Sequence, residues 1–111
     1  MKIVNLQNLS EVPTSHAGAG LKKVLVSPGE VPNLHQFGRV VFKPGEIAKE
    51  HKHDEFSEIM YVESGTGTMR INRKDYKIHK GDCVSVEVGE LHEVENNGRD
   101  PLILLFFGVY K

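Results

Sequence analysis

The chain has 111 residues, 39% of them hydrophobic and 26% charged, the size and composition of one ordinary globular domain rather than of a disordered segment. A formal net charge of −1 with no basic run leaves no electrostatic footprint for nucleic acid, and the longest apolar run, Leu102 to Val109, is too short to cross a bilayer. The single cysteine, Cys83, excludes an intramolecular disulfide and a cysteine-based zinc site. Met1 to His16 lacks the continuous apolar core of a signal peptide, so one soluble, cytoplasmic domain over residues 1–111 is expected. Free cysteine is habitually buried, which makes Cys83 a small core residue in this reading rather than a redox group.

Taken in order, the chain shows no sustained helical periodicity. Short alternating runs separated by Gly, Pro, Asn and Asp recur instead, as in an all-β sandwich or barrel. Lys2 to Leu6 reads as a first strand, Pro13 to Gly20 as a loop that holds His16, and Leu21 to Val26 as a second strand. Ser27 to Asn33 contains Pro28, Gly29 and Pro32 and must turn. Leu34 to Lys43 is the next strand, with Gly38 as a bulge or a point of close approach. Its inward face is left open by the pattern, so either His35 or Gln36 is a candidate for lining a pocket. Arg39 reads as a surface residue or as a bidentate anchor for an anion.

Gly45 to Gly65, GEIAKEHKHDEFSEIMYVESG, is the densest chemistry in the chain. Side chains alternate along a strand, so His51 and His53 point the same way and Lys52 the other. Glu58 lies an odd number of residues past His53, but Asp54, Glu55 and Ser57 supply turn formers that let the chain bend and return its carboxylate to the imidazoles. Two histidines and a carboxylate suit a first-row transition metal with coordination positions left open.

After the bend, Glu58, Met60 and Val62 share one face and Ile59, Tyr61 and Glu63 the other. Gly65-Thr66-Gly67 turns into Thr68 to Asn72, and Asn72 to Asp75 is a polar hairpin tip without the favoured Asn-Gly pair. Tyr76 and Ile78 are expected inside, Lys77 and His79 outside. Cys83 to Val88 and His92 to Glu95 are two more strands. His92 alternates with Val94, while Glu93 and Glu95 take the wet face, which turns His92 inward. Leu102 to Tyr110 closes the chain. It is apolar on both faces, unlike a strand wet on one side, and a second copy of the chain is the expected cover.

Two segments together resemble the paired motifs of the cupin superfamily. In the first, Gly45 is followed at set intervals by His51, His53, Glu58 and Gly65; in the second, Gly81 is followed by Gly89, His92 and Asn96. The usual proline before the second glycine is missing, with Glu87 and Val88 in its place, which loosens a turn and removes no ligand. The resemblance covers about half of the chain, residues 45–65 and 81–96. It implies an all-β double-stranded β-helix, or jelly roll, of about ten short antiparallel strands. It also implies one divalent transition metal per chain (Fe, Mn, Ni, Zn or Cu) held by His51, His53, Glu58 and His92, a small-molecule ligand, and a homodimer in which the N-terminal strand crosses to the partner.

Such a metal retains up to two positions for water, oxygen or a bidentate oxyanion. Lewis-acid isomerase or lyase chemistry and dioxygenase chemistry are both open to it, and a non-catalytic sensor or carrier is the alternative, because this fold class hosts many functions. Catalysis of either kind needs a proton-handling group, and none is obvious in the sequence. The expected inner face, with Met60, Val62, Met69, Ile71, Tyr76, Ile78 and Val94, favours a small, partly apolar ligand over a phosphorylated sugar.

Overall fold

The alternating runs do form strands. In the computed structural model, which describes residues 1–14 and 20–111, ten strands are present among the described residues: β1 (Val12–Pro13), β2 (Leu21–Val26), β3 (Leu34–Phe42), β4 (Ile47–His51), β5 (Phe56–Ser64), β6 (Thr66–Ile71), β7 (Lys74–His79), β8 (Cys83–Val86), β9 (His92–Glu95) and β10 (Leu102–Tyr110). Every pairing is antiparallel. A six-stranded sheet runs β1-β2-β3-β10-β5-β8 and a four-stranded sheet β4-β9-β6-β7, the two leaves of a jelly roll. His16 and most of the expected Pro13 to Gly20 loop fall outside the described residues.

The core lies between the leaves. Val40 and Phe42 of β3, Met60 and Val62 of β5 and Leu102, Leu104 and Phe106 of β10 meet Ala48, Met69, Ile78 and Val94 of the smaller sheet, all of them buried. Each large apolar side chain buried this way contributes roughly 1.5–3 kcal/mol. Leu102, Leu104, Phe106 and Gly108 of β10 are buried, and Ile103, Leu105 and Phe107 lie half-buried on the outer face. β10 is central in its sheet, paired with β3 on one side and β5 on the other.

Gly38 marks a close approach, not a bulge. A Cβ there would sit 2.8 Å from the Phe106 ring and 2.9 Å from the Lys23 carbonyl oxygen. The register instead slips nearby, between Val24 and Val26 against β3 and between Phe107 and Val109 on β10.

Four expectations are corrected. Lys2 to Leu6 forms no strand; a short 3-10 turn, Leu6–Asn8, follows it, capped by the Asn5 side chain accepting from the Gln7 N–H at 2.9 Å. The place beside β2 is taken by Val12–Pro13, and proline fits such a sheet edge because it has no N–H to donate. The hairpin tip is tighter than read. Ile71 faces Lys74, leaving only Asn72 and Arg73 in the turn, both at positive φ, 49° and 68°, the two-residue form that matches strand twist. Tyr76 is 46% exposed because β7 is the outermost strand of its sheet, and the Lys74 ammonium lies over its ring. Cys83 is exposed as well: β8 is the edge of the larger sheet, and Cys83 stands opposite Tyr61, itself 44% exposed. Among the described residues no helix is long and apolar enough to cross a membrane.

Candidate metal centre

His51 is the last residue of β4 and His92 the first of β9, and the two face each other in the register of that pair. Their rings are therefore neighbours, with centroids 4.2 Å apart. His53 follows on the short connection to β5, where Phe56 stacks against it at 4.4 Å. The bend expected at Asp54 and Glu55 is there, and past it Glu58 points inward on the same face as Met60. One Glu58 carboxylate oxygen lies 3.5 Å from His92 Nε2 and 3.8 Å from His53 Nε2. One ligand atom from each of His51, His53, Glu58 and His92 falls within 4.8 Å of all the others.

Backbone carbonyls orient two of the rings. His51 Nδ1 donates to the Lys49 carbonyl at 2.6 Å and His92 Nδ1 to the Glu90 carbonyl at 3.0 Å. With hydrogen on Nδ1, each Nε2 keeps its lone pair, the tautomer a metal ligand needs. His92 is 1% exposed, and its Nε2 has no hydrogen-bond partner, a condition that ordinarily costs roughly 1–3 kcal/mol. The Glu58 oxygen 3.5 Å away closes no hydrogen bond to it and attracts the ring only when that ring is protonated. Burial pushes the Glu58 carboxyl up, but the His92 ring, then the charges of His53, His92 and His51, outweigh it and hold that carboxyl below the usual range. For His92, burial pulls the imidazole down, and the Glu58 carboxylate and Glu90 carbonyl reverse this and raise it.

Bonds of about 2.0–2.2 Å to one ion place ligand atoms about 3 Å apart when adjacent and about 4 Å apart when opposed. The observed spread is slightly wider and closes with small side-chain movements. Three imidazoles, one carboxylate and an orphaned buried nitrogen fit a divalent transition metal.

The cluster opens into a cavity of about 310 Å³. Its walls include Val40, Phe42, Ala48, Met60, Val94, Leu104 and Phe106, and its polar lining adds Thr14, Lys22, His35 and Gln36. The open question about β3 is answered by both residues, since the strand start lies past the register slip and neither His35 nor Gln36 is turned away. His35 stacks on Phe56 at 4.2 Å, and its Nδ1 lies 2.8 Å from the Tyr110 hydroxyl. Burial and then the Lys22 charge lower its imidazole, against the opposing pull of Glu58.

Arg39 is not an anchor for a ligand in this cavity. It pairs with Glu63 at 2.8 and 3.2 Å. His79 is exposed beside Asp82, outside the cluster. Tyr76 does not line the cavity. Sequence reasoning missed Lys22 and Thr14; the consecutive Lys22 and Lys23 gave no sign of which one faced inward.

A profile of the cupin domain matches residues 38–108. The chain belongs to the cupin family. Among curated proteins, this cupin is 28% identical over 99 residues to the tetracenomycin polyketide synthase protein TcmJ of Streptomyces glaucescens, an alignment covering 88% of the chain and 66% of that protein. It is 38% identical over 69 residues to an oxalate-binding protein of Thermotoga maritima, covering 62% and 57%. The chain thus spans two thirds or less of the length of these relatives. Among solved structures, that of a predicted oxalate decarboxylase from Thermotoga maritima superposes with a TM-score of 0.92 at 26% identity, covering 99% of this cupin and 100% of that chain. The polyketide cyclase RemF of Streptomyces resistomycificus shares the fold at a TM-score of 0.86 and 16% identity, covering 100% and 80%.

Proposed function

We propose that this cupin holds one divalent transition metal through His51, His53, Glu58 and His92 and binds a small, partly apolar, oxygen-bearing metabolite in the adjoining cavity, acting on it as an enzyme of the dioxygenase or isomerase/lyase type. The observation that carries the reading is the orphaned His92 Nε2 inside a four-residue donor set at the wall of a largely apolar cavity. Bound there, the ion would supply Lewis-acid polarisation of a carbonyl or, if redox-active, oxygen activation. The chain's own contributions are separate from that chemistry. The apolar walls exclude water from the ligand, and Glu58 offsets part of the ion's charge. His35 supplies the proton-handling group that the chemistry needs. It lines the same cavity, lies beside the Tyr110 hydroxyl, and is held toward its neutral form near neutral pH.

A non-catalytic carrier or sensor is the second reading, favoured by the likeness to a relative named as an oxalate-binding protein. Both readings place the protein in solution as a homodimer, with the half-buried outer face of Ile103, Leu105 and Phe107 covered by a second copy.

Metal analysis of protein purified without added metal tests the first claim. One divalent ion per chain is expected, and His51→Ala or His92→Ala should weaken binding far more than His79→Ala. Equal effects of the three substitutions would sink the ligand assignment. Turnover of diketones, oxo-acids and thiols, with oxygen uptake recorded, then separates enzyme from carrier: ligand binding without turnover in the metal-loaded protein leaves the carrier reading standing.

A further inference from the structure

The cavity has a second polar pole that the metal cluster does not use. Lys22 enters it from β2 and Gln36 from β3, and the Lys22 ammonium donates to the Gln36 side-chain oxygen at 3.4 Å. That bond fixes the amide, so the remaining hydrogens of Lys22 and the NH₂ group of Gln36 are all donors. Among the described residues no carboxylate is ion-paired with Lys22, whereas Lys2 and Lys52 pair with Glu30 and Asp54 at the surface. A half-buried ammonium with only a neutral partner favours an anion.

The two poles are apart. Glu58 stands opposite Gly108 on β10, and β10 separates β5 from β3. Two interstrand spacings, about 10 Å backbone to backbone, therefore lie between Glu58 and the strand of Gln36. Over Gly108 the space is taken by the Phe56 ring and the His35 side chain, both of which line the cavity. His35 feels both ends, since the Lys22 charge lowers its imidazole and the Glu58 charge raises it. Val40, Phe42, Leu104 and Phe106 give the cavity its apolar wall.

Resting on the metal-binding reading for its first pole, we infer that Lys22 and Gln36 form a subsite for a terminal carboxylate, and that the ligand is a short acid with an oxygen-bearing group for the metal, an apolar middle and a carboxylate at the far end. Lys22 is the specificity-determining residue of this subsite. A ligand as short as oxalate reaches the metal pole alone.

The test uses adipate, hexanoate and oxalate as probes, followed by titration calorimetry and by protein chemical shifts. In metal-loaded protein adipate should bind more tightly than hexanoate. Lys22→Met should weaken adipate about tenfold or more, the range of one lost charged hydrogen bond, while oxalate affinity and metal content stay unchanged and Lys22→Arg restores adipate binding. In chelator-treated protein the metal pole is removed, and hexanoate, with its carboxylate at Lys22, should still weaken on Lys22→Met. If Lys22→Met leaves adipate untouched, or weakens all three acids alike, Lys22 is only a covering stem and the inference is overturned. Failure of the wild-type protein to take up metal counts against the metal reading alone, because the chelator-treated arm still decides the subsite.

Discussion

Asn96, the last residue of the second motif, is fully buried, and its side chain ties three segments together. Its amide donates to the Phe42 carbonyl at 2.8 Å and the Asp100 carbonyl at 2.9 Å, and its oxygen accepts from the Gly98 N–H at 3.0 Å. Asn96→Ala leaves the Phe42 and Asp100 carbonyls and the Gly98 N–H without these partners, and a loss of about 1–3 kcal/mol or more is expected in urea unfolding, with metal content per folded chain unchanged. His35 gives a pH-dependent counterpart. Its folded-state imidazole is lowered below the ordinary 6.5, by burial first and the Lys22 charge second. The unfolded chain therefore takes up the proton first as pH falls, so the stability His35 contributes is present above about 6.5 and is lost as pH drops toward the folded value. Melting of metal-free protein between pH 8 and pH 5 should fall less steeply for His35→Gln than for wild type; parallel curves would remove His35 from the account.

At the scale of elements, β2, β9 and β10 have the bounds read from the sequence, because turn residues close each run: Gly20 and Pro28 around β2, Gly89 and Asn96 around β9, and Asp100-Pro101 before β10. The cluster was legible from motif spacing rather than from strand parity: β4 ends at His51 after a register slip past Ala48, His53 lies on the connection that follows, and the bend at Asp54 and Glu55 returns Glu58 to the imidazoles. Tyr76 and Cys83 were misread because exposure at a sheet edge depends on strand order, a long-range property that local alternation does not carry. Lys2 to Leu6 alternates well enough and still has no strand, since a strand needs a neighbour and the edge of β2 pairs with Val12–Pro13. The β6–β7 hairpin offers a local test. Arg73 holds a left-handed φ of 68° that glycine adopts without strain, and its ion pair with Glu50 is exposed, a kind of contact that adds little. Arg73→Gly, which creates the favoured Asn-Gly pair, should raise the melting temperature; a lower one would show that the surface pair outweighs the backbone.

For the whole molecule, two outcomes are expected. Sedimentation at micromolar concentration should show a dimer, and Leu105→Lys, which charges the outer face of β10, should give a monomer or an aggregate; a wild-type monomer would remove the second copy from the proposal. Chelation should leave a cooperative unfolding transition, because the apolar core between the sheets does not depend on the ion. Added metal at roughly a hundred times its dissociation constant should contribute about 2.7 kcal/mol at pH 8, a gain that fades as pH drops below about 6.5 and the imidazoles protonate. Loss of the transition on chelation would mean a structural site. The ligands do not all hang from one leaf: Glu58 belongs to the six-stranded sheet, while His51 and His92 belong to the four-stranded one. An ion among them would be a rivet through the mouth of the sandwich, resisting shear between the leaves at the end where the cavity lies. Backbone amides of β4, β5 and β9 near that mouth, which open locally, should exchange with deuterium more slowly once it is in place, whereas those around Met69 and Leu102, deep in the core, should slow by no more than the gain in global stability.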